Sequence, residues 1–215
     1  MSETTKKTCG VLFDLDGVLL DSEGQYSIFW EQMEKEYPTG MPDFANYIKG
    51  FHLTRILGYF AEGEVRQQVL DKLLAFERQM KFEFFPGALS FVRQLHDAGI
   101  PLAIVTSSDQ KKMQELYRQH PEFPTLFDQI ITGDMVSKAK PDPECFLIAA
   151  ERIGVDIRDC IVFEDSRNGL IAARESGARV IGIATTLKRE VVAPMCDLLA
   201  DAVSELSIEQ VLKKQ

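Results

Sequence analysis

Two aspartates stand two residues apart at the end of an apolar run, Phe13-Asp14-Leu15-Asp16-Gly17. In an extended segment, residues i and i+2 point to the same side, so Asp14 and Asp16 are expected to face one another at a strand end. Carboxylates that close repel, and the pair asks for a divalent cation, a shared proton, or both. A hard cation such as Mg2+ takes oxygen ligands and keeps positions open for phosphate and water. Taken alone, Asp-x-Asp-Gly is equally a strand followed by a polar turn. Three other runs end in groups that could join them. Ile104-Val105-Thr106-Ser107-Ser108 ends in hydroxyls; Thr106, and secondarily Ser107, can donate hydrogen bonds to phosphoryl oxygens, although a strand-end Thr also suits capping of a helix near Asp109. Lys138-Ala139-Lys140-Pro141-Asp142-Pro143 offers two lysines, of which Lys140 directly precedes a helix start. Ile161-Val162-Phe163-Glu164-Asp165-Ser166 ends in two acids, which alone read as an acidic loop entering a helix at Arg167.

The elements that must carry these groups follow from pattern. Short apolar runs at 9–15, 101–106, 129–132, 160–163 and 179–184 are too short for helices and suit strands buried on both faces. Helical patterns lie between them at 87–98, 109–119, 142–153 and 167–176, several closed by Gly99, Gly154 or Gly177. This alternation implies βαβ units and an α/β fold, a doubly wound, Rossmann-like parallel sheet with helices on both faces. Ligands in such sheets sit beyond the carboxyl ends of the strands. One stretch breaks the rhythm: residues 18–85 read as helical throughout, at 23–37, 44–60 with an irregular middle, and 64–84. It holds 13 of the 20 aromatic residues. A small bundle needs large side chains to fill its core, and some of these rings could instead line a pocket facing the sheet. The expected organisation is therefore a core of residues 1–17 and 86–215 with an inserted helical cap of residues 18–85.

The run from Val11 to Ser22, with Asp14 and Asp16, resembles the first motif of the haloacid dehalogenase-like superfamily. The Thr106, Lys140 and Glu164-Asp165 segments resemble its other three motifs in order, so the likeness spans essentially the whole chain. The resemblance implies that Asp14 is a nucleophile forming an aspartyl-phosphate, and that Asp16 is the acid for the leaving group and then the base for water. It implies that Lys140 neutralises the phosphoryl group and orients Asp14. It also implies that Mg2+ is held by Asp14, the backbone carbonyl of Asp16, Asp165 and, if the chain turns there, Glu164; otherwise Glu164 stands behind the ligands. Dehalogenase members generally lack the second acid, so Asp16 favours phosphate chemistry. The insertion sits where the family's cap occurs in the phosphatase and phosphomutase subgroup that includes β-phosphoglucomutase, which makes His52 and Arg55 candidates for touching the substrate. β-Phosphoglucomutases generally carry a His in the first cap helix, where Tyr26 stands here. The expectation is a Mg2+-dependent phosphatase of a small phosphorylated metabolite, such as a sugar phosphate. A hexose phosphomutase is the alternative in the same fold, and a noncatalytic phosphate-binding module the alternative in another class; retention of Asp16 argues against the last.

Composition limits the partners. The 215 residues carry 33 acids against 24 basic groups, net −9, a field that repels nucleic acid and anionic membranes. The cap segment alone has 11 acids and 7 basic groups, so neither part attracts phosphate through bulk charge. Attraction must be local, through the metal and Lys140. The four cysteines show no metal or disulfide spacing and read as thiols in a reducing compartment. Met1 to Lys7 is polar and lacks a signal peptide's apolar stretch, and no run reaches the ~20 apolar residues of a membrane span. A cytoplasmic protein working as a monomer is expected.

Overall fold

A computed structural model describes residues 9–213; the polar lead at 1–7 lies outside the described residues. Six strands, β1 (Gly10–Phe13), β2 (Leu102–Val105), β3 (Gln129–Ile131), β4 (Cys160–Glu164), β5 (Arg179–Ile183) and β6 (Leu198–Ala200), form one sheet in the order β3-β2-β1-β4-β5-β6. Every pairing is parallel. The order reverses at β1, which lies between β2 and β4, and that reversal opens a crevice at the carboxyl edge. β6 has no counterpart among the runs expected from sequence. It is three residues long and lies between Asp197 and Asp201, so its apolar signal is diluted at once.

The insertion supplies α1 (Glu23–Glu36), α2 (Phe44–Tyr47), α3 (Leu53–Leu57) and α4 (Glu64–Gln79). The sheet is flanked by α5 (Ala88–Asp97), α6 (Gln110–Gln119), α7 (Glu144–Ile153) and α8 (Arg167–Ser176), and the chain closes with α9 (Arg189–Val192) and α10 (Ile208–Leu212). Alternation along β1 serves two apolar layers: Val11 and Phe13 join Phe91, Val92, Leu95 and Leu116 on one face, while Leu12 joins Phe146, Ala149 and Leu170 on the other. Phe91, Val92 and Leu95 are spaced as one buried stripe of α5. α8 stops at Gly177, whose φ of 86° is a left-handed cap a side chain would strain.

The cap has a core of its own, in which Phe29, Trp30, Phe44, Phe60, Val69 and Leu73 are buried together. Phe29 stacks on Phe76 with ring centroids 4.9 Å apart, and Trp30 meets the edge of Phe29 at the same distance. Most of the insertion's aromatic weight is therefore packing, as a bundle this small requires. The chain leaves and re-enters the sheet unit at adjacent points: Asp21 N donates to Glu83 O (2.8 Å), Phe85 N donates to Leu19 O (2.9 Å), and Leu20 bridges Phe84 antiparallel. No helix among the described residues is long and apolar enough to cross a membrane. No disulfide joins the described cysteines; Cys145 and Cys160 are buried, Cys9 and Cys196 half-buried.

Candidate active site

The parallel sheet gathers the groups that sequence had left scattered. Asp14 directly follows β1, Thr106 follows β2 and Asp165 follows β4, all at one carboxyl edge. Asp14 N donates to Phe163 O (2.9 Å) and Thr106 N to Ile131 O (2.9 Å), so each is tied to a neighbouring strand. Lys140, carried on the loop before α7 and followed by a cis bond to Pro141, reaches in from below. Its Nζ donates to Asp14 Oδ1 (2.6 Å), Glu164 Oε1 (2.5 Å) and Val105 O (3.0 Å). Burial works to lower the Lys140 pKa, but Asp14 and Glu164 outweigh it and raise it, so the lysine is a fixed positive charge.

Glu164 and Asp165 diverge, and the structure separates their roles. Glu164 is fully buried. One oxygen takes the Lys140 bond, and the other accepts from Asp165 N (3.0 Å), Ser166 N (3.1 Å) and Ser166 Oγ (3.1 Å). Its carboxylate is thus bonded to Lys140 and to the entry of α8. Gly169 leaves it space, since a Cβ there would lie 1.8 Å from Glu164 Oε1. Asp165, 1% exposed, keeps Oδ1 without a hydrogen-bond partner.

Asp14 and Asp165 feel one another. Burial, with repulsion from Glu164 and Asp16 against the pull of Lys140, raises Asp14 to about 8. Burial, then Glu164 and Asp14, push Asp165 up as well. Two buried carboxylates held against their own charge, one with an orphaned oxygen, fit a hard divalent cation. No cluster of three His, Cys, Asp or Glu side chains poised for a metal occurs among the described residues.

Asp16 is held differently. Its Oδ1 accepts from Lys112 Nζ (2.6 Å) and from Ser22 Oγ, and its Oδ2 from Ser108 Oγ (2.9 Å). Burial pushes its pKa up, but the Lys112 charge and these hydrogen bonds bring it below the usual range. Lys112 is buried and also lies over the Tyr26 ring, 4.5 Å from its centroid. None of these partners was singled out from sequence as a site residue. The available signal was Lys112 itself, a lysine beside Met113 and one turn before Leu116 on the buried stripe of α6.

Between sheet and cap lies a cavity of about 120 Å³ lined from below by Asp14, Asp16, Thr106, Ser107 and Lys140, and from above by α1, α4 and the Lys49-Gly50-Phe51 turn. Thr106 accepts from Ser108 N (3.0 Å), a local turn that aims the strand end. His52 does not line this cavity. Its Nδ1 accepts from Thr54 N (3.3 Å) and its buried Nε2 has no partner; its ring is wedged against Gly133, where a Cβ would lie 2.6 Å from His52 Cδ2 and 2.5 Å from Ser107 O. Arg55 is exposed outside the cavity, its guanidinium 3.7 Å above the Phe51 ring. Tyr26 is committed to Glu77, its hydroxyl donating to Oε1 at 2.9 Å.

The profile of the haloacid dehalogenase-like hydrolases matches residues 11–183. A probable pseudouridine-5'-phosphatase of Drosophila melanogaster is 29% identical, over 84% of this chain and 83% of its own. A phosphorylated carbohydrates phosphatase of Thermotoga maritima is 31% identical, over 82% and 86%. Two longer plant relatives are spanned over 58% and 21% of their length. Among solved structures, a HAD hydrolase, family IA, variant 3, from Entamoeba histolytica superposes with a TM-score of 0.80 at 27% identity, over 95% of this chain and 97% of that one.

Proposed function

Because the chain belongs to the haloacid dehalogenase-like hydrolases and its relatives include phosphatases of small phosphorylated metabolites, we propose that it is a Mg2+-dependent phosphatase of such a metabolite, working through an aspartyl-phosphate on Asp14. The observation that carries this reading is the buried pair Asp14 and Asp165, with Lys140 on one oxygen of Asp14 and Asp165 Oδ1 left unpartnered. Asp14, Asp165 and the carbonyl of Asp16 would hold the ion, which when bound supplies positive charge beside the transferring phosphoryl group.

The chain's own groups supply the rest. A carboxylate oxygen of Asp14 forms a bond to phosphorus as the bond to the leaving alcohol breaks, and the alcohol oxygen takes its proton from the carboxyl of Asp16. In the second half a water attacks phosphorus and gives its proton to Asp16; inorganic phosphate leaves and the Asp14 carboxylate is restored. Thr106 and Ser107 donate to phosphoryl oxygens, and Lys140 offsets their charge. Asp16 as it stands, ionised against Lys112, is in the form the second half requires; the first half requires that it carry a proton. With Tyr26 bound to Glu77 where a phosphomutase generally has a histidine, hydrolysis is the reading supported.

The test is phosphate release from a panel of esters, with Mg2+ and with chelator. We expect release only with metal and none from Asp14→Asn, whose amide is a poor nucleophile. Retention of most of the rate by that variant would refute the covalent scheme, and release undiminished by chelator would refute the metal.

A further inference from the structure

The cavity between sheet and cap is rich in charged side chains. Three lysines line it and each is already matched. Lys140 is bound to Asp14 and Glu164, Lys112 to Asp16 at 2.6 Å, and Lys49 faces Glu23 at 4.0 Å. No arginine or histidine lines the cavity among the described residues, and Arg55, the cation that sequence offered for an anion, is exposed outside it. Six carboxylates line the cavity beside these three lysines, so no lysine of the wall is without an acidic neighbour. Two of the six, Glu23 on α1 and Glu77 on α4, enter from the cap.

We propose that the leaving group this cavity accepts is an uncharged polyol, and that esters bearing a second anionic group are selected against; this rests on the phosphatase reading above. A carboxylate or second phosphate on the substrate would be desolvated beside Glu23 and Glu77 with no unspent cation to meet it, and an unpaired charge placed against a site is one of the ways a site rejects a ligand. Hydroxyls fit instead. Carboxylate oxygens accept from them.

The experiment uses matched pairs that differ in one anionic group: glycerol 3-phosphate against 3-phosphoglycerate, and fructose 6-phosphate against fructose 1,6-bisphosphate, assayed on the full chain with Mg2+. The uncharged member of each pair is expected to show a kcat/KM at least tenfold higher. Equal values, or a preference for the charged member, would overturn the proposal. Binding of the same four compounds to Asp14→Asn with Mg2+, measured by calorimetry, needs no turnover and is expected to favour the uncharged members at least fivefold. Absence of phosphate release together with that preference would count against the phosphatase reading alone; equal binding, or none, would count against the inference. Ser27, on the α1 wall of the cavity, gives a charge test: Ser27→Arg should narrow the discrimination at least threefold, mainly by lowering KM for the charged members, and an unchanged ratio would show that charge is not its cause.

Discussion

Lys140 offers the sharpest test of how the site is held together. Its side chain is 3% exposed and meets two carboxylates and one carbonyl. Lys140→Met keeps the length and apolar stem but removes the charge, leaving Asp14, Glu164 and Asp165 buried around no cation. Removing one partner of a buried ion pair costs about 3–5 kcal/mol, because the remaining charge is uncompensated. Glu164 retains its bonds from Asp165 N and Ser166, which places the expected loss toward the lower end, about 3 kcal/mol. With a urea slope of about 2 kcal/mol/M for a domain of this size, the unfolding midpoint in chelator should fall by about 1.5 M. Added Mg2+ should recover part of that loss, and so should the second change in Lys140→Met/Glu164→Gln, which removes one of the stranded charges. Lys72→Met is the control: its pairing with Glu36 is 43% and 46% exposed, and pairs so open to water contribute little. Affinity for inorganic phosphate with Mg2+ should fall at least tenfold in Lys140→Met and stay level in Lys72→Met. If the two single variants lost equal stability, or if Glu164→Gln deepened the loss rather than relieving it, the charge-balance reasoning would be refuted.

Three other outcomes are expected. Glu23, raised to about 7 from its usual 4.5 by burial and the Asp16 charge against Lys49 and Lys112, favours the folded state fully below pH 4.5 and loses that contribution as the pH rises through 7. The full shift is ~3 kcal/mol at 1.36 kcal/mol per unit, and with 24% of the side chain wetted we expect about half; Glu23→Gln should therefore be more stable than the parent at pH 8 and level with it at pH 4, and a parallel pair of stability curves would contradict this. Asp16→Asn should slow both half-reactions at least a hundredfold while Mg2+ affinity by calorimetry changes less than threefold, because only the backbone carbonyl is asked to bind; a large loss of affinity would make the side chain a ligand. Gly133→Ala should cost about 1–3 kcal/mol and raise KM by pressing on His52 and Ser107 O; His52→Ala in the same chain should relieve part of it, and strict additivity would mean that the imidazole is not seated there.

The strands that carry the site were legible because each is buried on both faces and so forms an unbroken apolar run ending abruptly in chemistry: β1 in Asp14, β2 in Thr106, β4 in Glu164 and Asp165. A parallel sheet then brings those ends together with no information beyond strand order. What could not be read was whatever depended on side-chain direction or on distant partners. Glu164 and Asp165 are neighbours with opposite fates, decided by which one faces Lys140. Lys112 meets Asp16 across 96 positions of sequence, and its only local mark is its place on the apolar stripe of a helix. The short helices α2 and α3 are four and five residues long, below the length at which periodicity speaks. Arg55 was a plausible anion contact by type and was turned outward by the packing of its own helix.

The adjacent crossing at Leu19 to Asp21 and Glu83 to Phe85 bears on what can be exchanged. To the sheet unit, the whole insertion is a loop whose two ends are already side by side. Closing such a loop costs only ~0.6 kcal/mol more for each doubling of its length, so an insert of very different size or shape can be spliced at this point with little penalty to the part that performs phosphoryl transfer. The walls we propose to select the alcohol, α1, α4 and the Lys49 turn, all lie within the splice. On that proposal, choice of substrate is carried on a cassette, and chemistry on the frame that receives it.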